Sequence, residues 1–239
     1  MRALVLSGGG LFGAWQAGAW SVLANHLVRE RAPDLIVGAS VGSLNGYVIA
    51  SGGTPEELAA MWLEPSFARF ADLPANIRRM MAHYTLKMPF AVTATELPRM
   101  KPRIFHDSEI TWQHLAASCA LPLALPQVRI GTHWYSDGGL LGALPSWAAA
   151  ELGATQIIGL QALPQPPSWW LGQATRAFRA VAGHNPPVPP GIEVLEIRPG
   201  RRLGSVRDTI QWKRSNIERW LDQGAEDAAR AVTEKTFLF

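Results

Sequence analysis

The chain has 239 residues, 48% of them apolar, enough to build a sizeable core in one large domain. Its 22 Lys and Arg against 19 Asp and Glu give a formal charge of +3, and no dense basic cluster interleaves with aromatics, which argues against a nucleic-acid partner. Cys119 stands alone, so an intramolecular disulfide is excluded and, without a Cys/His cluster at ligand spacing, neither a metal nor a cofactor is expected.

Ala3 to Leu6 reads as a short buried strand, too short for a signal-peptide core, and no apolar run of about 18 residues follows anywhere; the expectation is a soluble, cytoplasmic protein. After Gly8, Gly9 and Gly10, residues Ala14 to Val28 place Trp15, Ala19, Val22, Leu23 and Leu27 on one face at helical spacing. Pro33 and Asp34 break this helix before a second strand, Leu35-Ile36-Val37, which runs into Gly38-Ala39-Ser40-Val41-Gly42 and a second helix. Gly52-Gly53 ends that helix, and Thr54-Pro55-Glu56-Glu57 predicts another, with Thr54 as N-cap, Pro55 at the first turn and Glu57 closing a capping box, to about Leu63. Residues 64 to 83 show no deciding period.

Phe90 to Ala94 reads as a strand, followed by a basic turn through Arg99, Lys101 and Arg103. A helix over Ile110 to Ser118 precedes the proline-flanked run from Leu121 to Pro126. Trp147 to Leu152 reads as helix, Gln156 to Gln161 as strand, Gly191 to Ile197 as a last strand, and Arg207 to about Val232 as one long closing helix packed on the sheet. Strands alternating with helices predict an α/β sandwich with a mainly parallel sheet.

The glycines at 8, 10 and 13 satisfy a dinucleotide fingerprint, but that reading needs an acidic residue at the end of the second strand, about 20 positions on. That strand ends in Gly38-Ala39-Ser40, and Asp34 sits at its beginning. Gly38-x-Ser40-x-Gly42 between strand and helix instead has the form of a nucleophile elbow, a turn so tight that only small residues fit beside the serine. A serine needs a base. His184 could complete a Ser40, Asp137, His184 triad, although it lies in a proline-rich loop; Asp137, in Ser136-Asp137-Gly138-Gly139, could serve directly.

Four blocks resemble the patatin-like phospholipase family in order and spacing: Gly8-Gly9-Gly10-Leu11-Phe12-Gly13, Gly38-Ala39-Ser40-Val41-Gly42, Ala117-Ser118-Cys119-Ala120-Leu121-Pro122 and Asp137-Gly138-Gly139. The resemblance covers most of residues 2 to 162. It implies a three-layer α/β/α sandwich and a Ser40–Asp137 dyad without histidine, with oxyanion-hole amides from the Gly8-Gly9-Gly10 loop. The activity it implies is hydrolysis of lipid esters through an acyl-serine; a non-catalytic lipid-binding relative and an acyltransferase on the same dyad are the alternatives. An aspartate of ordinary pKa, about 3.9, would be a weak base. Many relatives carry Arg or Lys where this chain has Phe12, which marks Phe12 as a candidate determinant of substrate preference.

Trp169-Trp170-Leu171, followed by Ala174, Phe178 and Val181 at helical spacing, reads first as a helix covering the core and second as an amphipathic flap meeting a membrane or micelle, with Arg176 and Arg179 on its polar side. Cys119 reads as a buried filler, Met80, Met81 and Met88 as core, and Arg78-Arg79 and Arg201-Arg202 as solvated surface.

Overall fold

A computed structural model describes residues 1–30, 32–67, 72–122, 124–164 and 169–234. Leu123 and the Pro166-Pro167 pair lie outside these. The chain begins with β1 (Arg2–Leu6), a single 3-10 turn (Gly10–Phe12), α1 (Gly13–Glu30), β2 (Leu35–Ala39), α2 (Val41–Ala50) and α3 (Pro55–Leu63). It continues through α4 (Leu73–His83), β3 (Phe90–Leu97), β4 (Lys101–His106), α5 (Trp112–Ser118), β5 (Val128–Ile130) and β6 (His133–Ser136). The remainder is α6 (Ser146–Glu151), β7 (Gln156–Leu160), α7 (Trp169–Ala182), β8 (Glu193–Ile197) and α8 (Arg214–Glu234).

The eight strands form one sheet in the order β5-β6-β3-β2-β1-β7-β8, with β4 on the remaining flank of β3. β3, β2, β1, β7 and β8 run parallel; β4 and β6 pair antiparallel with β3, and β5 pairs antiparallel with β6. β1 and β2 are buried along their whole length, as strands covered on both faces must be. Leu4, Leu6, Ile36, Phe90 and Val92 point into the larger core under α1, α2, α5 and α8, while Ala3, Val5, Leu35, Val37 and Ala91 meet Trp147, Ala148 and Ala149 of α6 on the other face. This alternation makes the three layers.

The Thr54 capping box forms as read, with Thr54 Oγ1 accepting from Glu57 N–H at 3.2 Å and Glu57 Oε2 from Thr54 N–H at 2.9 Å. Two expectations change. The basic turn is shorter than expected, because Lys101 to His106 form β4 and pair with Ala91 to Glu96. The closing helix breaks: Arg207–Thr209 is a separate 3-10 turn, held by Asp208 accepting from Ser205 and Asn216, and Ile210 beyond it is 49% exposed. α8 then packs chiefly on α1, where Gly18 lies against the Leu221 carbonyl and Gly224 against that of Trp15, so that a Cβ at either would overlap backbone. In α7, Trp169 and Val181 are 79% and 92% exposed, while the side chains of Trp170, Leu171 and Ala174, on which the reading of a core-covering helix also rests, lie outside the described ones.

Candidate active site

β2 ends at Ala39, and the chain turns so sharply there that Ser40 adopts φ 52°, ψ −132°, which L residues rarely tolerate. Its neighbours make the turn possible by having no side chains: a Cβ on Gly38 would overlap the Ser43 backbone, and one on Gly42 the Leu6 carbonyl. α2 begins at the next residue, so its positive end opens on Ser40. The Ser40 N–H donates to Ser118 Oγ at 2.8 Å, which fixes the elbow against α5.

Asp137 reaches the same point from the opposite direction. β2 pairs with β3 up to Ala39 opposite Thr93, and β4 occupies the other flank of β3 from Ala91 to Glu96. β6 can therefore join β3 only on the flank that β2 has vacated, and it does so with Ser136 opposite Thr95. The two strands run head to head, their ends separated by two residues of β3, about 7 Å. Ser40 and Asp137, the next residue of each, close that gap.

The backbone around Asp137 is tied down on all sides. Its N–H donates to the Ala120 carbonyl at 3.1 Å, its carbonyl accepts from Thr95 Oγ1 at 2.9 Å, and Gly138 N–H donates to the Ser118 carbonyl at 3.0 Å. The residue is 4% exposed, its carboxylate accepts from Gly139 N–H at 2.7 Å, and the neighbouring Ser40 side chain favours its charged form. Burial raises the carboxyl, the contacts with Ser40 and Gly139 that favour the charged form pull it only partly back, and it rests at about 6. An aspartate of ordinary basicity is thus not what the site holds: desolvation makes it the stronger base.

The glycine loop leaves the carboxyl end of β1 beside Ser40. A Cβ on Gly8 would stand 3.2 Å from Ser40 Cβ, and Gly8 N–H donates to the Ala143 carbonyl at 3.0 Å. Of the three amides expected to line an oxyanion hole, that of Gly8 is therefore engaged. Those of Gly9 and Gly10 have no internal acceptor among the described residues. Gly10 has φ 58° and abuts the Thr209 carbonyl. Gly13 belongs to packing, since a Cβ there would stand 2.6 Å from both Trp62 and Val41.

A buried polar network behind this loop escaped the sequence reading. Gln16 Nε2 donates to the Ser7 carbonyl at 2.8 Å and to the Leu160 carbonyl at 3.2 Å; Asn45 Nδ2 donates to Gln16 Oε1 at 3.0 Å and to the Gly13 carbonyl at 2.9 Å. Trp62 Nε1 donates in turn to Asn45 Oδ1 at 2.9 Å, and Ser7 Oγ accepts from Ala162 N–H at 2.9 Å. The network links the ends of β1 and β7 to the helix that carries the elbow, so loop and nucleophile share one frame. The available signal was an amide side chain, Gln16 or Asn45, set within the apolar first half of each of two helices.

Two candidates lie elsewhere. Phe12 is 2% exposed and packs edge-on against Trp220 at 5.0 Å, so it faces the core under α8 and cannot set substrate preference by contact. His184 is exposed, and among the described residues no hydrogen bond joins it to Ser40 or Asp137. Cys119 is buried as expected, its thiol pushed up chiefly by desolvation.

The family model of patatin-like phospholipases matches residues 4–92 and 83–150. Among curated proteins, lysophospholipase NTE1 of Debaryomyces hansenii is 27% identical over 66% of this chain, and patatin-like phospholipase domain-containing protein 7 of Rattus norvegicus is 26% identical over 66%. The matched region spans only 11% and 13% of those two proteins. Among solved structures, VipD from Legionella pneumophila superposes with a TM-score of 0.58 at 11% identity, covering 98% of this chain and 67% of that one, a likeness of fold.

Proposed function

The chain belongs to the patatin-like phospholipase family, and from that premise we propose that it is a serine acyl hydrolase that cleaves carboxylic esters of lipids through Ser40 and Asp137. The carrying observation is that the strained Ser40 and the buried Asp137 stand at the facing ends of β2 and β6, with the Asp137 carboxyl raised to about 6 by burial and drawn partly back by the Ser40 side chain. The names of the curated relatives, a lysophospholipase and a phospholipase-domain protein, support the lipid class.

In this reading Ser40 Oγ attacks the ester carbonyl as its proton passes to Asp137. The carbonyl oxygen becomes an oxyanion, which the Gly9 and Gly10 amides receive, helped by the N-terminus of α2. Asp137 returns the proton to the departing alcohol, leaving an acyl-serine. Water then gives a proton to Asp137 and adds to the acyl carbon, and Asp137 passes that proton to Ser40 Oγ as the acyl–serine bond breaks and the fatty acid leaves. The described chain acts as one catalytic domain, and its contact with a membrane or micelle is transient. A fluorophosphonate probe tests the reading: it labels the wild-type protein and His184→Ala, fails to label Ser40→Ala, and labels Asp137→Asn far more slowly. Absence of labelling in the wild type would favour a non-catalytic lipid binder.

A further inference from the structure

We propose that the carboxyl end of the sheet, with α7, is a docking face for an anionic phospholipid bilayer. The inference rests on the lipid-hydrolase reading and deepens it by assigning the surface through which the substrate is presented. It starts from where exposed apolar side chains fall. Among the described residues eight large ones are exposed, and six of them, Leu121, Trp134, Trp169, Phe178, Val181 and Ile210, stand on segments that adjoin the dyad. The other two, Met1 and Val194, are at the amino ends of β1 and β8, the opposite end of the sheet.

Each of the six has a traceable position. Trp134 pairs with Leu97, beyond the end of β2, and is 50% exposed. Leu121 follows Ala120, whose carbonyl holds the Asp137 N–H, and is 45% exposed. Ile210 follows Thr209, which lies against Gly10. α7 issues from the carboxyl end of β7 and is moored to the loop after Asp137: Arg179 Nε donates to the Leu140 carbonyl at 3.4 Å, and Asn185 Nδ2 to the Gly142 carbonyl at 3.1 Å. Among the described side chains of the helix, Gly172 is buried and Arg179 partly so, while Trp169, Phe178 and Val181 are exposed. These exposed apolar side chains lack a partner of low polarity, and tryptophan and arginine on one helix suit the bilayer interface.

Charge selects the occupant. No Asp or Glu occurs between Glu151 and Glu193, a stretch that holds Arg176 and Arg179. The turn between β3 and β4 and the start of β4, at the same end of the sheet, carry Arg99, Lys101 and Arg103 against the single carboxylate of Glu96, to which both arginines pair. Two copies apposed through this face would set like charges together, whereas anionic headgroups complement it. Among the described residues no helix is long and apolar enough to cross a membrane, so the contact is a surface one.

The test is co-sedimentation with phosphatidylcholine vesicles, with and without phosphatidylglycerol, at low and high salt. Wild-type protein is expected to bind the anionic vesicles and to release in salt. Trp169→Ala with Phe178→Ala, and separately Arg176→Glu, should each weaken binding about tenfold or more, while fluorophosphonate labelling and hydrolysis of a soluble p-nitrophenyl ester stay at wild-type level. No binding by the wild type, binding indifferent to both variants, or a dimer in sizing experiments that Trp169→Ala with Phe178→Ala disperses would overturn the proposal. Loss of the soluble activity in the wild type would instead strike the hydrolase reading, which the vesicle measurement does not depend on.

Discussion

Replacing Asp137 with Asn is expected to stabilise the protein at neutral pH while it stops turnover. The carboxyl titrates at about 6 in the folded chain, against 3.8 for the ordinary side chain. Between those values the native state holds a proton that the unfolded chain has lost, so its stability falls as pH rises through that window. Above it, the ionised carboxylate is held in the fold at a disadvantage of about 3 kcal/mol, at about 1.36 kcal/mol per pKa unit. Asparagine keeps an acceptor for the Gly139 N–H and carries no charge to desolvate. The variant should therefore gain up to about 3 kcal/mol at pH 8, equivalent to about 6–12 °C in Tm for a chain of this size. Below pH 4 the wild-type carboxyl is neutral and the gain should vanish. Thermal melts of both proteins from pH 3.5 to pH 8 give the answer. A difference that is flat across that range, or a wild type more stable at pH 8, would refute the account of Asp137 as a desolvated base. Such a base is a strained catalytic feature of the kind that activity retains at the expense of stability.

The same titration should appear in catalysis: kcat/KM on a neutral, soluble ester rises with pH through about 6 and is unaltered in His184→Ala, as a pH–rate profile of both would show. Gln16→Leu removes the donor to the Ser7 and Leu160 carbonyls and strands the Asn45 amide. Denaturant titration should show a loss of about 2–4 kcal/mol, and probe labelling should slow as the glycine loop loses its support. Phe12→Arg, which restores the cation common at that position, should not alter head-group preference. It buries an unpaired charge against Trp220 and should destabilise the fold by more than about 3 kcal/mol, read from the denaturation midpoint.

Features that depend on a few adjacent residues were legible in the sequence. The elbow is one, because the turn that exposes Ser40 needs bare backbone at Gly38 and Gly42 and nothing more distant. The Thr54 cap is another, since its two hydrogen bonds close within three residues. β4 was missed because Pro102 and three basic residues read as a turn; as an edge strand it tolerates the proline. The break before α8 depends on Asp208 bonds to Ser205 and Asn216, partners that no local period announces.

By itself, then, the sequence determined the layered α/β architecture and the elbow at Ser40, which follow from the period of apolar residues and from local sterics, while Asp137 as the partner of Ser40 came from the resemblance to the family. Tertiary structure decided how those parts work together. Ser40 and Asp137 meet because β4 occupies one flank of β3 and leaves β6 only the end of β2 to abut, a pairing between strands far apart in the chain. The strength of Asp137 as a base, the engagement of the Gly8 amide and the burial of Phe12 depend likewise on what the rest of the chain packs around them. Desolvation and hydrogen-bond competition are properties of a neighbourhood in space, and short sequence motifs do not encode them.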